Sequence, residues 1–254
     1  MSNLQRLLEP LTIRNMTLRN RVVSTAHSEV YADGAVPGER FIRYHAEKAR
    51  GGIALTIIGG SSSVSITSPA PWGGTLDVSR EAIVEPLGRL AEAVHAHGAA
   101  VMIQLTHMGR RSSWQGGDWP HLMAPTAMRE PLHRCAAKTM EQEEIDAVIA
   151  DYAAAARRCK DAGLDGVEIS AAHQHLIDQF WSPRTNHRTD QYGGSLDNRL
   201  RFGFQVLEAV RGAVGRTSWW GCACAATSST RTAWTRRRCW TSPGATPRAA
   251  WWTC

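Results

Sequence analysis

The run Ala162-Gly-Leu-Asp-Gly-Val-Glu-Ile-Ser-Ala-Ala-His-Gln-His175 joins three signals in one place. Gly163 stops the amphipathic stretch before it, because glycine takes a left-handed helix end without a Cβ clash. Gly166–Ser170 follows as a short strand, and it opens at once into a polar segment carrying His173 and His175. Helix, strand and polar strand end in that order are the parts of a βα unit whose chemistry sits where the strand stops.

The same unit recurs on the N-terminal side. A first strand is expected near Arg21–Thr25, with a helix from about Glu39 to Arg50 closed by Gly51-Gly52. Ile53–Ile58, apolar apart from Thr56, reads as a strand buried on both faces. Ile83, Val84, Leu87, Leu90, Ala91 and Val94 fall on one face of a helix from Arg80 to His97, stopped by Gly98, and Ala100–Leu105 is the third strand. The spacing Thr139-Met-Glu-Gln142 predicts a capping box opening a helix that reaches Ala162. After the fourth strand a long loop leads to Ser195, the expected N-cap of a helix ending near Gly215. Four consecutive units of this size fit a barrel or a doubly wound sheet, and no glycine-rich dinucleotide fingerprint follows the first strand. The expected fold is therefore α/β, a TIM (β/α)8 barrel of which about four βα units are present.

No run of about 18 apolar residues occurs, and Met1–Pro10 lacks the basic-then-apolar order of a secretory signal, so a cytoplasmic protein without a membrane segment is expected. The net charge of +6 raises nucleic-acid binding as a class. Its distribution argues against that class. Six Arg and no Asp, Glu or Lys lie between Arg216 and Cys254, which leaves 23 basic against 23 acidic residues in 1–215. Cys222-x-Cys224 lacks the matched second pair or nearby His that a metal site needs. His173-x-His175 likewise shows none of the further ligands a hydrolase metal would require, so no metal is expected.

The strand ends are polar: Ala26-His27-Ser28 after the first, Gly59-Gly60-Ser61 after the second, Gln104-Leu-Thr-His107-Met-Gly109-Arg110 at the third, and Ser170 to His175 after the fourth. One such histidine or glycine is ordinarily structural. Four consecutive strand ends of this kind point to one functional rim.

Val167-Glu-Ile-Ser-Ala-Ala-His-Gln-His-Leu-Ile-Asp-Gln-Phe180, followed by Ser182-Pro, Asn186, Arg188-Thr-Asp190, Tyr192-Gly-Gly-Ser195, Asn198-Arg199 and Arg201-Phe202, resembles the old yellow enzyme family. The likeness is strongest to its 2,4-dienoyl-CoA reductase and trimethylamine dehydrogenase branch. It includes Leu18-Arg-Asn-Arg21 and Gln104-Leu-x-His-x-Gly109 and covers about residues 5–215. The resemblance implies residues 1–216 as the N-terminal part of an FMN-binding barrel. Ala26, His27, Ser28 and Gly59 would lie beside the flavin, with Gln104 on its pyrimidine edge. Glycine at 59 would admit the flat ring. Ser170 and His173 match the pair that holds a substrate oxygen, and His175 matches a proton-donating position. Relatives commonly carry His, His or Asn, and Tyr at these places; a His175 titrating near neutrality could replace the Tyr.

The activity so implied is NAD(P)H-driven reduction of an activated C=C bond through FMN, with a small-molecule substrate. An FMN-dependent amine dehydrogenase or demethylase is the alternative. A 4Fe-4S cluster and FAD would belong only to a longer form.

Residues 217–254 hold six of the ten Trp and four of the six Cys, and neither a strand nor a helix reads out of them. Trp has the single codon TGG, so Trp219-Trp220-Gly221 read from each third base gives Val then Gly, flanked by apolar codons, and Cys222-Ala223 then permits Arg. That is a buried strand ending in arginine, as the family's fifth strand does. We therefore read 217–254 as a non-family tail produced by a one-base change near codon 216. The competing expectation for the literal chain is an inactive truncated fragment with unpaired strand edges. Resequencing native genomic DNA is expected to reveal the change, and finding the present frame there would refute it.

Overall fold

The computed structural model describes residues 3–13, 16–68, 73–112, 121–132, 134–215 and 221–225. The chain runs α1 (Asn3–Leu8), β1 (Leu11–Ile13), β2 (Met16–Leu18), β3 (Val23–Ser24), α2 (Glu39–Arg50), β4 (Leu55–Ser63), α3 (Val84–His95) and β5 (Ala100–Thr106). It continues through β6 (Met123–Ala124), β7 (Lys138–Thr139), α4 (Gln142–Asp161), β8 (Gly166–Ser170), α5 (Leu176–Trp181), α6 (Leu196–Val214) and β9 (Gly221–Ala225). Short 3-10 turns at Glu81–Ile83 and Gly109–Arg111 precede α3 and follow β5.

Five strands form one sheet in the order β3-β4-β5-β8-β9, and each pairing is parallel. Strand alternation gives the sheet two different faces. Val101, Ile103, Leu105, Val167 and Ile169 face the helices and join Leu87, Leu90, Val148, Tyr152 and Val206 in one buried cluster. Leu55, Ile57 and Met102 turn to the other face, where Leu18 is buried with them and Leu11, Ile13 and Met16 pack alongside. The β1–β2 hairpin thus covers the inner face at the end where the strands begin. Arg19 fastens it there, donating to the carbonyls of His97 at 2.7 Å, Ala49 at 2.6 Å and Ile53 at 2.6 Å. Two of those carbonyls lie at or just past the C-terminal ends of α3 and α2, where a cation also meets the negative end of the helix dipole.

Several local expectations are corrected. The capping box of α4 is built from Glu141 and Glu144, not from Thr139. Thr139 lies in β7, and its hydroxyl accepts the Ala127 N–H at 2.8 Å, so it is not free to cap. Strand β4 continues past Ile58 to Ser63, through a register shift between Ile58 and Ser62 where Gly59 and Ser61 adopt positive φ. Ser195 does cap α6, accepting the Asn198 N–H at 3.2 Å. Gly221–Ala225 is a strand, against the reading of the tail as strandless. The open edge of β8 offers a row of N–H and C=O groups, and backbone pairing with it requires no apolar periodicity. Residues 226–254 lie outside the described residues. Among the described residues, no helix is long and apolar enough to cross a membrane.

Ile103 is fully buried between β5 and the helices. Ile103→Ala is expected to lower unfolding stability by about 2–5 kcal/mol, measured by urea titration.

Candidate active site

The carboxyl ends of β3, β4, β5 and β8 are brought together by the parallel register. After β3, the Ala26-His27-Ser28 segment lies against the glycines of β4: the Gly60 N–H donates to the His27 carbonyl at 2.9 Å and the Ser28 hydroxyl donates to the Gly60 carbonyl at 2.6 Å. A Cβ at Gly60 would stand 2.6 Å from the His27 carbonyl carbon. At Gly59, with φ +64, a Cβ would collide with the Ser62 hydroxyl and press on Leu76. The protein's own packing therefore requires glycine at both positions, independently of any ligand. His27 meets the Tyr44 hydroxyl at 3.0 Å. Beneath this segment Glu29 lies 3.0 Å from His45, which also pairs with Thr56 at 2.9 Å, so a buried polar chain ties the loop to α2 and β4. Burial is the main cause that lowers the His45 pKa.

Gln104 and Glu168 are register partners on β5 and β8 and both face inward. The Gln104 Nε2 donates to Glu168 Oε1 at 2.6 Å, which leaves Oε1 and one N–H of the amide for another partner. Burial raises the Glu168 pKa, with the Gln104 hydrogen bond acting against it.

Beyond Ser170 the chain turns through His173 and Gln174, both left-handed at φ 59 and 57. Such residues are strained unless their surroundings fix them. Here Asp178 accepts the Gln174 N–H at 2.8 Å, Gln179 donates to the Gln174 carbonyl at 2.6 Å, and Arg111 donates to the His173 carbonyl at 2.5 Å. The turn leaves His173 exposed and buries His175, whose ring lies 5.9 Å from that of His173. The hydroxyl of Ser170 and Nδ1 of His175 are buried without a hydrogen-bond partner. Burial, helped by Arg111, His173 and His107, pulls the His175 pKa down to about 3. The near-neutral titration expected for it is thus displaced, and its imidazole is neutral at physiological pH. His107, fully buried, is pulled down to about 3 by desolvation.

Of the expected site residues, Gln104, Ser170, His173 and His175 share the β5–β8 end, while Ala26, His27, Ser28 and Gly59 share the β3–β4 end. Glu168 and Arg111 are not among the residues expected from the sequence, and Arg110 is expected only as part of the polar end of the third strand. Arg110 and Arg111 stand directly after Gln104-Leu-x-His-x-Gly109, and their position past a strand end was the available signal.

The sequence model of the family described as NADH:flavin oxidoreductase / NADH oxidase matches residues 6–235. The chain is 58% identical over 210 residues to the N,N-dimethylglycine/sarcosine dehydrogenase of Chromohalobacter salexigens, covering 82% of this chain and 30% of that protein. It is 46% identical to the multifunctional alkene reductase/demethylase OYE of Caballeronia cordobensis, covering 82% of this chain and 31% of that one. Morphinone reductase in complex with tetrahydroNAD superposes with a TM-score of 0.77 at 31% identity, over 86% of this chain and 63% of that one. The chain therefore spans under a third of the length of these curated relatives.

Two of the three histidines buried among the described residues, His107 and His175, set a pH dependence of stability to which His45 adds in the same direction. His107 and His175 each have a folded pKa near 3 against an unfolded value of about 6.5, so the unfolded chain binds more protons between those limits. Stability should be constant above about pH 6.5 and fall as the pH drops toward 3, by at most about 1.4 kcal/mol per pH unit for each histidine. Urea titrations at a series of pH values check this, and His175→Gln should flatten the slope.

Proposed function

Because the chain belongs to the NADH:flavin oxidoreductase / NADH oxidase family, we propose that residues 1–216 contribute to an FMN site at the open end of the sheet. The small molecule exchanging electrons with it would lie over Ser170, His173 and His175. The described residues suit such a group. Gln104 keeps unspent amide capacity, and the orphaned Ser170 hydroxyl and His175 Nδ1 await a partner. FMN, when bound, would supply a two-electron, hydride-accepting centre.

The neutral His175 carries the choice of reaction. A hydride leaves an N-methyl group only from the free amine, so an ammonium substrate must first give up a proton. Burial makes His175 too weak a base to take that proton, which passes to water; its neutral ring, with Nδ1 unpartnered, sets no further cation against the amine and so favours the free-base form. We therefore favour flavin-dependent oxidation of an N-methylated amine, in line with the likeness to the dehydrogenase of Chromohalobacter salexigens. NAD(P)H-driven reduction of an activated C=C bond is the second reading, supported by the alkene reductase/demethylase likeness. In that direction the proton would come from water or the His175 N–H, and Ser170 and His173 would hold the activating oxygen. Under either reading, the substrate is a small molecule met in the cytoplasm.

An anaerobic absorbance titration of the FMN-loaded chain tests the choice. Bleaching near ~450 nm by N,N-dimethylglycine alone is expected, a band belonging to the flavin. His175→Arg, which places a permanent cation there, should slow it at least roughly tenfold, one pKa unit of the amine being a factor of ten in free base. A band bleached only by NADPH and restored by an enone would instead establish the second reading. A chain that retains no FMN would overturn both.

A further inference from the structure

The 3-10 turn after β5 sets two guanidinium groups side by side at the mouth of the site. Arg110 is 5% exposed, yet its contacts are neutral: Met128 Sδ at 2.8 Å, the Gln174 side-chain carbonyl at 3.3 Å, and no partner at Nε. Among the described residues it makes no close ion pair, and Glu130 acts on its charge only from a distance. Arg111 donates to the His173 carbonyl, its Nε is buried and unpartnered, and the carboxylate facing it, Glu130, stands off at 3.8 Å. The other nearby acid, Asp178, spends a carboxylate oxygen on the Gln174 N–H. A buried cation without a close counter-charge is costly, which applies to Arg110; Arg111, partly exposed and paired with Glu130 only at 3.8 Å, acts on the charge of His175, whose Nδ1 also lacks a partner. An anion with at least two acceptor oxygens would complete this set.

We propose that Arg111, with Arg110 behind it, binds the carboxylate of the substrate and so restricts the site to small carboxylate-bearing molecules such as N-methylated amino acids. This rests on the reading that substrate lies over Ser170, His173 and His175. A planar guanidinium fork matches a carboxylate in a bidentate way that an ammonium cannot. Arg111 holds the carbonyl of His173, two residues before His175. A carboxylate on Arg111 is thereby fixed relative to the neutral imidazole that would face the amine. Arg111 is a specificity-determining residue, and Arg110 supplies field and support for the loop through Gln174.

The test is calorimetric titration of the full 254-residue chain, with and without FMN, using N,N-dimethylglycine and its uncharged-terminus counterpart N,N-dimethylglycinamide. The acid should bind roughly 10- to 100-fold more tightly than the amide, the range expected of a charge-assisted pair. Arg111→Met should remove that preference by weakening the acid far more than the amide, and Arg111→Lys should restore part of it. In the unmodified chain acetate should compete with the acid more strongly than inorganic phosphate does at equal concentration, a comparison that needs no variant. Equal affinity for acid and amide, an equal loss of both in Arg111→Met, or binding of neither would overturn the proposal. The flavin titration is read separately. An Arg111-dependent preference without bleaching by the amine would leave the subsite standing and remove the reaction. Bleaching without the preference would do the reverse.

Discussion

The site depends on the parallel register of β5 with β8, which sets Gln104 opposite Glu168. Strand alternation leaves no freedom once that pairing is fixed: Ile103, Leu105, Val167 and Ile169 must meet the helices, so Gln104, Glu168 and Ser170 must line the other face. A slip of one residue would place a carboxylate and an amide among α3 and α4 and an isoleucine on the inner face. The buried apolar cluster against the helices therefore secures the polar chemistry indirectly, and the hydrogen bond between Gln104 and Glu168 satisfies the two groups that the register forces inward.

From this layer the loops are held by charge and shape. Arg111, Gln179 and Asp178 fix the left-handed turn at His173 and Gln174, which tucks His175 inside while leaving His173 at the surface. At the opposite side, Gly60 allows the first loop to come within hydrogen-bond distance of β4, and the Glu29, His45 and Thr56 chain supports it from below. Both sides of the mouth are thus positioned by polar contacts buried under the loops, and the apolar core supplies the platform.

Much of this was legible in the chain. The bounds of α2 at Glu39 and Arg50, and of β8 at Gly166 and Ser170, coincide with those read from periodicity and glycine stops, because each is set by residues within the element itself. The cap of α4 was not, since Thr139 and Glu141 are both competent caps and only the Ala127 contact, twelve residues away, decides between them. Glycine at 59 was visible as a requirement but its cause was not; Ser62 and Leu76 supply it from within the fold. His175 could be found from its place after a strand, whereas its suppressed titration depends on burial and on Arg111, neither of which is local. Strand β9 was missed because side-chain periodicity is no guide where an exposed backbone edge does the selecting.

That last strand has a consequence for how such barrels are assembled. Gly-Cys-Ala-Cys-Ala has little of the β-branched or aromatic character that builds strands, yet its backbone extends the sheet in register from Gly166 to Ser170. The outer rail of β8 thus pairs, residue for residue, with a segment that has little strand character of its own. A fold made of repeating units with such rails lends itself to recombination of halves, because each half carries in its last strand the template on which a foreign successor is aligned.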